Sequence, residues 1–351
     1  MTIRATLPVM NMDEKLHFAD LSDRLLDWYA GAARDLPWRI GPIKRARGVK
    51  PDPYRVWLAE IMLQQTTVPH ATRYYLAFTK RWPTVEDLAA AKDEDVMAAW
   101  AGLGYYARAR NLLKCAREVT ALGAWPDTVS ALGKLPGIGP CTAGAVAALA
   151  FGRQAAAVDG NVDRVFARLM AMKGEWKLEK ARLKSVVESL VPADRPAEFA
   201  EALMDLGATI CTPKSPNCLL CPLRQMCAAT AEGDPDRYPI KPKKTPKPTR
   251  LGHVYVLFGK DQSVMTERRV DKGLLGGMLG LPTSHWAGEL APPKFPSEAN
   301  WQEIGEVRHV FTHFALTLTV WRAEAAEQFT PVSSAADGLP SVFSKALKLA
   351  L

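Results

Sequence analysis

The spacing of apolar positions changes along the chain. Between residues 55 and 172 apolar side chains recur at three- and four-residue intervals, which predicts helices over 55–82, 87–106, 108–122, 141–151 and 161–172. Pro and Gly punctuate them at Pro83, Pro126, Pro136-Gly137, Gly152 and Gly174. Nothing before residue 238 alternates with period two, so this half is predicted to be mostly α. Beyond residue 250 the period shortens. Residues 253–258 and 263–269 read as a strand pair. Over 313–322, Phe314, Leu316, Leu318 and Val320 alternate with Thr317 and Thr319, the signature of a half-buried strand. A helix is predicted at 341–349. Between the two regimes, Tyr238 to Arg250 holds four prolines and five basic residues without an acid. Proline that dense disfavours both helix and ladder and predicts extended chain. The expected organisation is a tail over 1–21, a mostly-α domain over 22–230, a Pro/Lys-rich linker over 231–250 and a smaller α+β domain over 251–351. No internal repeat is visible.

Composition narrows the class only a little. Hydrophobic residues make up 48% and charged residues 23%, ordinary values that exclude wholesale disorder in this 351-residue chain. No apolar run approaches the roughly 18 residues of a membrane helix. Asp13, Glu14 and Asp20 near the start fit neither a signal nor a transit peptide, so a cytoplasmic location is expected, on the nucleoid if the source is bacterial. The net charge of +8 invites a polyanion, and nucleic acid is the commonest one.

Four of the six cysteines change the picture more. Cys211, Cys218, Cys221 and Cys227 fall within 17 residues as C-x6-C-x2-C-x5-C. In a reducing compartment clustered thiols favour metal over disulfides. Either one [4Fe-4S] cluster or one Zn²⁺ would accept four thiolates, but zinc sites more often pair two CxxC knuckles, and only one is found. A second signal is Leu135-Pro136-Gly137-Ile138-Gly139 between helical patterns. Glycines there let the backbone approach a ligand closely, and amides leading into a helix form an anion site suited to a DNA phosphate. An ordinary helix–helix turn would look similar.

Taken together, LPGIGPCT at 135–142, VDGNVDR at 158–164 and the cysteine loop resemble the helix-hairpin-helix DNA glycosylase superfamily of the endonuclease III type. EIMLQQT at 60–66 and LPWR at 36–39 narrow the resemblance to adenine glycosylases of the MutY type. It is dense over residues 22–230 and looser beyond. It implies a helix-hairpin-helix core with an iron–sulfur loop, a C-terminal α+β Nudix-like domain, and removal of adenine mispaired with 8-oxoguanine, or with guanine, from double-stranded DNA. The expected protein is a monomer that touches no membrane and acts in base excision repair as an N-glycosyl hydrolase (EC 3.2.2 type).

Within that frame Glu60 shares a helical stripe with Val56 and Leu63. Partial desolvation there would raise its pKa and let it hold the proton that adenine needs before it can leave. Asp159 stands at a predicted helix start, where N-capping alone would account for it. The resemblance also makes it the second catalytic carboxylate, whose charge would stabilise an oxocarbenium-like sugar. Bifunctional relatives carry a lysine amine where this chain has Cys141, so a monofunctional enzyme is expected that leaves an abasic site. Cys141 is itself a departure from the Ser or Tyr usual in the adenine enzymes, and a small buried packing role is one reading of it.

The resemblance further implies an adenine pocket of Arg34, Trp38 and Glu201. It implies a wedge and lesion contact from Gln65, Thr66, Leu103 and Tyr105, a phosphate hairpin at Gly137, Ile138 and Gly139, and lesion recognition by Phe311, Thr312 and His313. Gly273 to Pro282 fits the family's Nudix-like signature loosely, with Leu279 where Trp is usual. No REx2EE helix follows, so no pyrophosphatase activity is expected. The segment between Arg39 and Pro53, with Lys44, Arg45, Arg47 and Lys50, is longer than the connection usual for this motif. It reads either as a backbone contact or as a disordered surface loop. Two other functions stay open: a glycosylase of different specificity, and a non-catalytic iron–sulfur DNA-binding protein.

Overall fold

The computed structural model describes residues 17–240, 246–270 and 274–351. Part of the expected tail and linker, and Gly273 of the Nudix-like signature, lie outside the described residues. Two compact units emerge, one within Met1–Val96 and Ala107–Lys243, the other within Met97–Tyr106 and Lys244–Leu351. No helix among the described residues is long and apolar enough to cross a membrane.

The first unit is helical. Its longer helices are α1 (Leu21–Ala32), α2 (Pro53–Leu63), α3 (Val68–Arg81), α4 (Ala107–Leu122), α5 (Pro140–Phe151), α6 (Gly160–Leu169), α7 (Trp176–Leu190) and α8 (Pro196–Thr209). The predicted 55–82 helix is in fact α2 and α3. The break falls at Gln64–Thr67, where Gln65 takes φ 57°, a conformation that ends a helix. The carbonyls left over at the end of α2 are met by Arg108, whose guanidinium donates to Ile61 O at 2.9 Å and Gln64 O at 2.6 Å. The predicted 87–106 helix is likewise two short ones, Val85–Ala90 and Asp93–Ala99.

Periodicity does not single out α1, α7 or α8. In α8 the reason is chemical, because its buried stripe includes Glu198, Glu201 and Asp205, which an apolar count scores as exposed. Leu21, Leu25 and Tyr29 of α1 pack with Val165 and Phe166 of α6, Val186 of α7 and Phe199 and Leu206 of α8 into one core, on which Leu223 and Met226 of the cysteine loop also rest. Helix α5 is buried from Thr142 to Leu149 and packs against both α2 and α8. Its small residues permit that approach. A Cβ on Gly144 would meet the carbonyl oxygen of Ala156 well inside contact distance.

The second unit contains a mixed five-stranded sheet of order β5-β6-β1-β2-β7. Its strands are β1 (Thr249–Gly259), β2 (Ser263–Val264), β5 (Gln302–Val310), β6 (Ala315–Glu324) and β7 (Thr330–Pro331), while β3 (Glu267–Arg268) and β4 (Leu279–Gly280) form a separate pair. The predicted strand over 263–269 is therefore divided between two sheets. Strand β5 escapes a sequence reading because its alternation is weak, with Val307 as its only fully buried residue. Helix α9 (Ser341–Ala350) covers one face through Val342, Phe343, Ala346 and Leu347. The predicted strand start at 313 moves to Ala315. Phe311 N donates to Phe314 O at 2.8 Å, closing a hairpin that leaves Thr312 and His313 exposed at its tip.

Candidate active site

A cavity of about 190 Å³ opens in the first unit, between α2, α6, α8 and the segment before α2. Glu60, Asp159, Arg34, Trp38, Glu201 and Thr66 all line it, so both carboxylates and the whole expected base pocket converge on one space. Thr66 belongs to this wall, although the resemblance groups it with the wedge.

Glu60 sits in the last turn and a half of α2, flanked by buried Val56, Ala59 and Ile61. Its carboxyl is pushed up to about 7, first by desolvation and then by repulsion from Asp159 and Glu201, with Arg39 partly opposing. A carboxyl tuned in this way can hold a proton at neutral pH and release it to a base. Asp159 caps α6: Oδ1 accepts from Asn161 N at 2.9 Å and Val162 N at 2.8 Å, and Oδ2 accepts from Asn161 Nδ2 at 2.9 Å. The capping amides and the helix dipole hold this carboxylate at the cavity edge. The cap expected from sequence is present, and it sets the carboxylate on the cavity that Glu60 also lines.

A second carboxylate pair stands one turn apart on α8. Asp205 is fully buried and clamped by Arg34 Nε at 2.6 Å and by Arg39 Nη1 at 2.7 and 2.8 Å. Glu201, 3% exposed, accepts from Tyr29 Oη at 2.8 Å and from Arg45 Nη2 at 3.3 and 3.4 Å. Desolvation raises its pKa, while Arg39, Arg45 and Tyr29 work the other way. Trp38 closes the pocket edge-on against Tyr75, with centroids 5.2 Å apart. Sequence reasoning missed Arg39, Asp205 and Tyr29. The signal that could have found them was the spacing of Glu198, Glu201 and Asp205 along one largely apolar helix, together with the arginines of the segment before α2.

The hairpin places Gly137 at φ 77°, and a Cβ there would lie 2.7 Å from Asn111 Cβ. Ile138 is buried, and Gly139 precedes Pro140 at the start of α5 as an N-cap without a side-chain acceptor. The first amides of α5 thus lack side-chain satisfaction from their cap. Cys141 is exposed, which corrects the buried packing reading. Its sulfur nevertheless donates to Val158 O at 2.9 Å. Desolvation, with Glu60, Asp159 and Asp163 nearby, pushes the thiol up to about 11, so it is neutral and no nucleophile at pH 7.

The four clustered cysteines follow α8. Burial pushes Cys221 up to about 12, and Cys211, Cys227 and Cys218 lie close enough to add to the effect. Among the described residues, no three His, Cys, Asp or Glu side chains converge tightly enough to hold a single metal ion. From α6 the buried Arg168 braces the loop, donating to Cys211 Sγ at 3.3 Å, Thr212 O at 2.7 Å and Tyr238 O at 3.2 Å.

Of the expected wedge residues, Gln65 is exposed with φ 57° and Tyr105 is 53% exposed with φ 49°. Non-glycine residues seldom adopt that region, and such strain clusters at functional sites. Leu103, by contrast, is buried. Within the second unit Tyr105 Oη lies 3.4 Å from Thr312 Oγ1, while Phe311 stacks on Trp286 with centroids 6.1 Å apart.

A helical unit with a glycine hairpin and paired carboxylates on one cavity defines a class, and the comparisons with known proteins agree. Residues 58–189 match the HhH-GPD superfamily of base excision DNA repair proteins, and residues 253–349 match the NUDIX domain. The solved structure of a non-covalent endonuclease III–DNA complex shares the fold, with a TM-score of 0.51 at 23% identity over 64% of this chain and 99% of that one. The adenine DNA glycosylase of Homo sapiens is 34% identical, over 90% of this chain and 68% of that protein. The adenine DNA glycosylase of Rattus norvegicus is 32% identical, over 92% and 74%. The chain belongs to the adenine DNA glycosylase family.

Proposed function

We propose that this protein is a monofunctional glycosylase that removes adenine opposite 8-oxoguanine, and also opposite guanine, and leaves an abasic site. That it is a base excision glycosylase acting on adenine follows from its family. The excision chemistry rests chiefly on one observation, a Glu60 carboxyl pushed up to about 7 on the same small cavity as the capped Asp159, while the monofunctional reading rests on Cys141 standing where a lyase needs an amine.

The flipped adenine enters between Trp38 and the Glu201 wall, at an unstacking cost of a few kcal/mol. Glu60 delivers a proton to a ring nitrogen, the glycosidic bond breaks, and Asp159 faces the developing positive charge of the sugar. Water completes hydrolysis, since Cys141 presents a neutral thiol where a lyase would need an amine. Gln65 and Tyr105 fill the vacated stack, the hairpin of Gly137 to Gly139 takes a phosphate, and Phe311, Thr312 and His313 read the opposite base. The proposed domains run over 22–230 and 251–351, joined by the Pro/Lys-rich segment, in a monomer working in the cytoplasm.

The cysteines are proposed to hold one [4Fe-4S] cluster. Here four thiols lie on one loop with a single CxxC, whereas zinc sites more often pair two such knuckles, and this donor set favours the cube.

The deciding assay uses a duplex with a single A:8-oxoguanine pair, with and without alkali after incubation. Adenine release with strand scission only after alkali is expected. Scission without alkali would indicate a lyase, and a bound but intact adenine would remove the enzymatic reading. Metal analysis should return about four irons with acid-labile sulfide, and zinc alone would overturn the cluster.

A further inference from the structure

The segment between Arg39 and Pro53 is not a disordered loop. It carries a short helix, Pro42–Ala46, that leaves Lys44, Arg47 and Lys50 exposed. Arg45 behaves differently. Its side chain is 18% exposed and turned towards Glu201, with Nη2 at 3.3 and 3.4 Å from the two carboxylate oxygens and Nε buried without an acceptor. Glu201 in turn lines the cavity that holds Glu60 and Asp159.

We propose that Arg45 is a positioning residue that holds Glu201 as an ionised, acceptor-only carboxylate, so that the basic segment helps the pocket select a base with an exocyclic amine over one with a keto oxygen. This role rests on the adenine-excision reading above and extends it to a residue outside the shared motifs.

The charges facing Glu201 can be followed element by element. Tyr29 from α1 donates one hydrogen bond, and Asp205 repels from the same helix. Glu60 of α2 lies across the cavity and adds negative charge only once it has given up its proton. Arg39 attracts, but its guanidinium is already bonded to both oxygens of Asp205. Arg45 is thus the cation whose guanidinium is directed at Glu201. Without it the buried carboxyl would take up a proton more readily, and a protonated carboxyl is a donor that can meet a keto oxygen. A carboxylate can only accept, which suits an amino group.

The test compares single-turnover excision of adenine and of hypoxanthine, each opposite 8-oxoguanine, from pH 5.5 to 8.5, for wild type, Arg45→Ala and Arg45→Lys. The Arg45→Ala rate on adenine, relative to wild type, is expected to be lower at pH 6 than at pH 8 by on the order of tenfold, as the buried carboxyl left without its guanidinium takes up a proton. Its adenine-to-hypoxanthine ratio falls in parallel, and Arg45→Lys restores most of both. Added to Glu201→Gln, Arg45→Ala should change neither the profile nor the ratio. A uniform loss at every pH with the ratio unchanged, or an undiminished effect of Arg45→Ala in the Glu201→Gln background, overturns the proposal. Arg45→Gln carries the same expectations should Arg45→Ala not fold. A wild-type protein that releases no adenine would sink the functional reading itself, an outcome distinct from a normal enzyme insensitive to Arg45.

Discussion

Asp159 caps α6 and, in the proposed mechanism, also faces the developing charge of the sugar, and substitution can separate the two. Asn is as good an N-cap as Asp, whereas Ala removes the cap at a cost of about 1 kcal/mol. Asp159→Asn is therefore expected to melt near wild type yet lose adenine excision by roughly two orders of magnitude or more. Asp159→Ala should lose both, as read by thermal melts beside single-turnover rates. Glu60 carries a stability signature as well. Its folded pKa of about 7 lies above the ordinary 4.5, so between those values the folded state binds the proton that the unfolded state has released. Its contribution to stability is therefore present below about 4.5 and lost as pH rises through about 7. Glu60→Gln, which cannot ionise, should melt higher than wild type at pH 8 and about equally at pH 4, and a lower melting point at pH 8 would contradict the desolvation account. That Glu60 is an acid on an apolar stripe is visible in the sequence. The neighbours that tune it, Asp159, Glu201 and Arg39, come from distant stretches of chain, and their convergence is not.

At the scale of elements, helix α8 carries most of the pocket's electrostatics. Asp205 has no exposure, and its partner Arg39 is 7% exposed, so removing the carboxylate leaves a buried cation uncompensated. Asp205→Ala should destabilise by about 3–5 kcal/mol in chemical denaturation, well beyond an ordinary substitution. Helix α5 makes a matching steric demand, where Gly144→Ala would push a methyl into the Ala156 carbonyl and must displace the chain leading to Asp159. Elements with uniform chemistry are the easiest to read: α4, α5 and α9 lie within a residue or two of their predicted bounds. Those whose buried face is charged, like α8, or whose phase is carried across a polar break, like α2 and α3, escape or merge. Tertiary partners decide both cases, and a one-dimensional period cannot register them.

For the whole molecule, the net charge of +8 gives a direction without an address. Some of that charge is used internally, since Arg34, Arg39, Arg45 and Arg168 all face inward to carboxylates, carbonyls or a thiol. In the proposed complex with DNA, phosphate binding would fall to exposed cations such as Lys44, Arg47 and Lys50. Replacing all three with alanine should flatten the dependence of log affinity on log salt by about 0.9 for each phosphate no longer neutralised, without altering the preference for one mispair over another. The tip residues of the second unit should show the converse. Thr312→Ala with His313→Ala is expected to reduce the preference for 8-oxoguanine over guanine opposite the adenine while leaving the A:G rate near wild type, and an unchanged preference would remove the lesion-reading role. The motifs point to these residues, but only the hairpin closed by Phe311 and Phe314 shows why they stand clear of the sheet.

In the proposed mechanism everything turns on a desolvated Glu60 donating the proton that lets adenine leave. Its most direct test is the pH dependence of single-turnover adenine excision by wild type and Glu60→Gln, with binding to the same duplex measured in parallel. The wild-type rate should decline as pH rises through about 7, and Glu60→Gln should bind the duplex normally but be slower by at least about a hundredfold at every pH. A Glu60→Gln protein that keeps the wild-type rate and profile would contradict that assignment.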